Sequence, residues 1–186
     1  ENNGGTLATS ESFTGTCTVL ANGRATFSLA GNGNPAPIPR IANAYLTGPG
    51  SGFLLGSDAA VTTGFLEQQS GSPFADSSIV GGYTLTAPFP GTTAVSNVVG
   101  QVAADGVGDI SGTVDAVPPP GKPAFLGQSL AATINGLTTA GRSAVTTNAP
   151  TGLPTNLILY VVSPSGARAI SADSGDTNPQ VFFLDH

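Results

Sequence analysis

The chain has 186 residues, of which only 9% are charged, and a formal net charge of -6. An ordinary soluble domain carries about 25% charged residues, so neutral Thr, Ser, Asn and Gly must supply the polar surface. An acidic chain with five Lys and Arg in all has no basic stripe to neutralise phosphates, which argues against a nucleic-acid partner.

Helix signals are nearly absent. The periodic segments are rich in Val, Ile, Thr, Phe and Tyr, and 26 Gly and 15 Pro interrupt them too often for long helices. Alternating patterns bounded by turn residues predict strands near 12–20, 24–30, 40–47, 52–58 and 61–68 in the N-terminal part. The polar stretch Gln69–Ser78 then reads as a join. Strands follow near 81–87, 95–104, 109–117, 128–137, 141–148, 156–163, 167–173 and 179–185. The Pro-rich runs 34–39 and 117–123 cannot be central strands, because Pro lacks a ladder donor. No apolar run approaches the roughly 20 residues that span a bilayer as a helix.

The two parts repeat each other. Gly15–Leu29 aligns with Thr133–Thr147, placing Arg24 opposite Arg142; Ala44–Asp58 aligns with Leu159–Asp173, placing Tyr45 opposite Tyr160; Phe65–Gln68 aligns with Phe183–His186. The spacings, 118 residues for the Arg pair and 115 for the Tyr pair, suit tandem small domains and exceed any solenoid rung. The expected fold is therefore all-β, built of tandem antiparallel barrel or sandwich units. Residues 1–69 form a partial unit of five strands lacking its first three, 70–78 a linker, and 79–186 a complete eight-stranded unit. An incomplete sheet exposes edges and an apolar inner face, which the rest of its own chain, a neighbouring chain or an upstream fragment must cover.

With these motifs in view, the chain resembles a β-rich repeat found in tandem in uncharacterised secreted or lipid-anchored surface proteins of Acidobacteria and related soil bacteria. The residues carrying the resemblance are Phe13–Val19 with Asn22–Arg24, the ending Gly64–Gln69, the opening Gly81–Leu85, and Ala103–Gly112 followed by Tyr160–Pro164. The resemblance implies an eight-stranded, lipocalin- or avidin-like up-and-down barrel. It also implies that Glu1–Gly5 is the turn before a fourth strand, and it transfers no catalytic residue.

Candidate chemistry is sparse. His186 is the only histidine, so no Ser-His-Asp arrangement or multi-histidine metal site forms within one chain. Asp105 with Asp109, and Asp173 with Asp176 and Asn178, have spacings open to Ca²⁺, but such residues more commonly cap hairpin turns. Cys17 stands alone and reads either as a small strand residue or as a partner-linking thiol. Arg24 and Arg142 suggest a twice-repeated anion site or, more simply, stems laid on a sheet and paired locally. Tyr45, Tyr83 and Tyr160 read as core aromatics, with Tyr45 and Tyr160 in equivalent, largely buried places.

No catalytic residue, metal ligand or cofactor-binding residue is assigned, and the expected class is an extracellular or cell-surface structural protein rather than an enzyme. It would assemble as a fibre or surface-layer module by pairing strand edges with a second copy or with a complementary upstream fragment. The alternative is a lipocalin-like barrel enclosing a small apolar ligand.

Overall fold

A computed structural model describes residues 2–3, 6–7, 13–31, 41–57, 63–87, 97–117, 123–149, 152–174 and 179–186. A short hairpin, β1 (Asn2–Asn3) and β2 (Thr6–Leu7), comes first. Five strands follow: β3 (Phe13–Val19), β4 (Arg24–Gly31), β5 (Ile41–Gly48), β6 (Ser51–Gly56) and β7 (Thr63–Glu67). Eight more complete the chain: β8 (Val80–Ala87), β9 (Asn97–Asp105), β10 (Asp109–Val117), β11 (Phe125–Ile134), β12 (Arg142–Thr147), β13 (Asn156–Ser163), β14 (Gly166–Ser171) and β15 (Val181–Asp185). Among the described residues the only helical segment is the 3₁₀ turn Asp76–Ser78. The fold is all-β. Residues 8–69 and 70–186 form two compact units, with the small hairpin counted with the second.

In the second unit each strand from β8 to β15 pairs antiparallel with its sequence neighbour, and β15 closes on β8, giving a barrel. The closing pairs are Phe183 with Thr86, Leu184 with Leu85 and Asp185 with Thr84. Period-two alternation makes this possible, since one residue in two points inward. Tyr83, Leu85 and Ala87 on β8, Val98, Val102 and Ala104 on β9, and Ile110, Val114 and Ala116 on β10 are all buried. Thr84, Gln101, Ser111 and Thr113 between them are exposed. Each Val, Leu, Ile or Phe so buried contributes about 1.5–3 kcal/mol.

Two inward glycines let β9 and β10 coil tightly against each other. A Cβ on Gly112 would lie 2.1 Å from the Gln101 carbonyl oxygen, and one on Gly100 would lie 2.6 Å from that of Thr113. Backbone occupies the space a side chain would need.

The stretch 70–78, expected as a linker, is packed onto the barrel. Ser70 donates its N–H to the Val162 carbonyl, Phe74 to that of Thr139, and the Leu137 N–H donates to the Asp76 carboxylate. Phe74 is 3% exposed and Ile79 2%, and both belong to the barrel's hydrophobic cluster. One aromatic in a polar stretch thus anchors the segment at the end where the 135–141 and 164–165 turns lie. Tyr83 adds to this end by donating its hydroxyl to the Pro164 carbonyl at 3.2 Å.

The first unit is a sheet in the order β3-β4-β5-β6-β7, and no described strand pairs beyond β3 or β7. Cys17 faces Phe27, Phe27 faces Ala42 and Ala42 faces Gly56, so these residues share one face. Ala25, Ala42 and Ala44 on that face are at most 1% exposed.

Replacing Phe74 with Ala should cost about 3–5 kcal/mol through loss of buried area and the cavity left behind. Denaturant unfolding of the barrel transition measures this. A loss below about 0.5 kcal/mol would show that 70–78 is a free tether.

Candidate functional site

The sequence-derived acidic candidates are turn and loop residues. The Asp105 carboxylate accepts the N–H of Val107 at 2.8 Å and of Asp109 at 2.9 Å, and these backbone bonds hold its pKa below the ordinary carboxylate value. Asp109 accepts the Thr133 hydroxyl at 3.1 Å. Asp173 binds the 152–156 segment: it takes the backbone N–H groups of Thr155 and Asn156 at 2.8 and 2.9 Å, and their side chains at 2.8 and 2.7 Å. Burial works against its charge, but the hydrogen bonds from Asn156 and Thr155 outweigh it and lower the pKa. Asp176 and Asn178 lie outside the described residues, as do residues 34–39 and 118–122 of the Pro-rich runs. Among the described residues no group of three or more His, Cys, Asp or Glu is placed to hold a metal.

The tyrosines divide. Tyr83 is 4% exposed, as a core aromatic should be, whereas Tyr45 is 56% and Tyr160 46% exposed. The expectation of burial for Tyr45 and Tyr160 is corrected by strand parity: Leu159 and Val161 take the inward positions on either side of Tyr160. Each of the two faces an arginine across its strand pair, Tyr45 opposite Arg24 and Tyr160 opposite Arg142. Arg142 donates Nε–H to the Tyr160 hydroxyl at 3.3 Å, and Arg24 donates to the Asn43 side-chain oxygen. Both arginines are thus held by local neutral oxygens. His186 packs edge-on against Tyr83, with ring centroids 5.4 Å apart.

Two apolar features bear on a partner. Inside the barrel is an apolar space of about 50 Å³ lined by residues that include Leu85, Val102, Ile110, Val145, Leu159 and Phe182. The other is the five-stranded sheet. On its inner face Cys17 is exposed, as are Val19 at 54% and Leu46 at 41%. On its outer face Tyr45, Phe53 and Phe65 form a cross-strand row, 49–57% exposed, with the two phenylalanine rings 5.5 Å apart. Sequence reasoning anticipated the open sheet but missed this row, whose signal was the direct pairing of three aromatics once the register is known.

No protein-family model, curated protein or solved structure matches the chain.

Two measurements follow from these placements. Replacing Tyr160 with Ala should change stability by less than about 1 kcal/mol in denaturant unfolding, since its ring is half in solvent. Asp173 binds its proton more weakly folded than unfolded. Its contribution to stability is present above the unfolded carboxylate pKa, roughly 4, and lost as pH falls through the lower folded value. Asp173→Asn should therefore lower the unfolding midpoint at pH 7 and flatten its decline below about pH 4. An unchanged acid limb would refute the assignment.

Proposed function

We propose that this chain is a structural module of an extracellular or cell-surface assembly, and that it joins its partners through the sheet β3–β7. The observation that carries the reading is the state of that sheet: it ends at β3 and β7 among the described strands, and its inner face leaves Val19, Leu46 and Cys17 exposed. End strands of this kind are templates for further pairing. A charge content of 9% leaves few like-charge contacts to oppose close approach. The resemblance to tandem repeats of surface proteins supports the extracellular setting.

We read β3–β7 as an incomplete copy of the barrel, and the registers support it bond for bond. The Leu20 N–H bonds to the Arg24 carbonyl and Gly23 back to Leu20, as Thr138 does to Arg142 and Gly141 to Thr138. Leu46 bonds to Gly23 as Val161 does to Gly141, and Gln68 to Gly50 as His186 does to Ser165. The irregularity between Leu46 and Gly48 recurs between Val161 and Ser163. Strands β3–β7 thus correspond to β11–β15, and the barrel follows the consecutive up-and-down order of lipocalin-like folds. The initial alignment of β3 with β11 needs a one-residue adjustment: Cys17 faces Phe27 as Ile134 faces Val145, which leaves Gly136 (φ 78°) as an extra residue.

A ligand-binding barrel is the weaker reading. Small-molecule pockets run to about 300–1,000 Å³. The barrel interior offers about 50 Å³, the size of a packing defect.

Light scattering or native mass spectrometry at micromolar concentration tests the assembly. A species larger than 18.3 kDa is expected, and Val19→Lys with Leu46→Lys should shift it toward monomer. A stable 18.3 kDa monomer of the unsubstituted chain would overturn the reading.

A further inference from the structure

We infer that the partner completing β3–β7 is a three-stranded antiparallel meander of the β8–β9–β10 type, supplied from outside this chain and not by a second copy of it. This rests on reading β3–β7 as the counterpart of β11–β15. In the barrel, the five strands β11–β15 are closed by β8–β10 alone: β8 pairs with β15 and β10 with β11. The same span is vacant between β7 and β3 among the described strands. An incoming meander would pair its third strand with β3 as β10 pairs with β11, where Ile110 faces Ala132 and Thr113 faces Ser129. In the first unit the counterparts of Ala132 and Ile134 are Gly15 and Cys17.

The meander's chemistry follows from that template. Its inward positions are apolar, like Leu85, Val102 and Ile110, and its outward ones neutral and polar, like Thr84, Gln101 and Ser111. The acceptor face differs in side-chain size from the barrel's: Ala42 and Ala44 stand where the barrel has Leu157 and Leu159 and Gly64 where it has Phe182, while Phe27 and Leu54 stand where it has Val145 and Ala169. The meander that fits best therefore differs from β8–β10 in the sizes of its inward side chains.

Stoichiometry excludes a second copy as donor. Among the described strands each chain has two five-stranded sets, β3–β7 and β11–β15, but one such meander, which already closes its own barrel. Exchange of β8–β10 between copies leaves one five-stranded set bare per chain at every assembly size. Identical copies can stick edge to edge, but they cannot all complete their barrels.

Cys17 reports the outcome, because it is exposed here while its barrel counterpart, Ile134, is 6% exposed. Thiol alkylation is timed in the unmodified chain and in a fusion that places a second copy of residues 79–124 ahead of residue 8. A parallel arm co-expresses residues 79–124 as a separate polypeptide with the full chain. In at least one arm the meander should slow Cys17 alkylation by about tenfold or more and yield a monomeric fusion or a one-to-one complex. Leu85→Asp with Val102→Asp in the added copy alone should restore the fast rate. Equal rates in all samples overturn the inference, as does a Cys17 already protected in the unmodified chain, since that would mean the chain covers its own site. A monomeric unmodified chain refutes the assembly reading alone, because the thiol then still reports whether a meander docks.

Discussion

Backbone hydrogen bonding across the seam between β15 and β8 separates the two halves of this molecule. Where that seam exists, eight short strands have no edge, and their buried inward side chains join in one hydrophobic cluster. The sheet β3–β7 forms its hairpins with no such seam among the described strands, and it leaves apolar side chains exposed on both faces. Local sequence thus suffices for the hairpins. Closure is a separate requirement, met in the second unit by β8–β10 and by no described strand of the first.

Side-chain size follows from closure. The barrel interior is filled by Val, Leu, Ile and Phe with two inward glycines where backbone approaches backbone. Polar groups are turned outward or tied down at hairpin ends, and among the described residues no buried side-chain nitrogen or oxygen lacks a partner. The acidic residues serve this purpose: Asp105 gathers the N–H groups of its own turn, Asp76 holds the 137 turn and Asp173 holds the 155–156 segment. These carboxylates are occupied with backbone and hydroxyl donors, which leaves them as structural staples.

Much of this was legible because strands with one wet face write their period into the sequence. Val98-Val-Gly-Gln-Val102 and Asp109-Ile-Ser-Gly-Thr-Val114 alternate, and both were placed within a few residues. The run Leu157–Val162 is apolar throughout, so it carries no parity signal, and Tyr160 was assigned inward although it points out. The anchoring role of Phe74 was hidden for a related reason: a lone aromatic among Ser, Gly, Pro and Asp has no periodicity to display. For the five-stranded sheet, the strands themselves could be read from the sequence, but the exposed row Tyr45, Phe53 and Phe65 required the register.

The anchor at Ser70 and Phe74 has a mechanical consequence. The barrel's entry and exit lie at one end: Ser70 bonds to Val162, and His186 bonds to Ser165 and packs on Tyr83. Tension drawn between them pulls the start of β8 away from the end of β15, two adjacent antiparallel strands. Such loading unzips a ladder one bond at a time, so the force needed stays low, whereas shear would load all the bonds together. Under stretch the barrel would open first at its own seam, paying out chain like a slipping stitch.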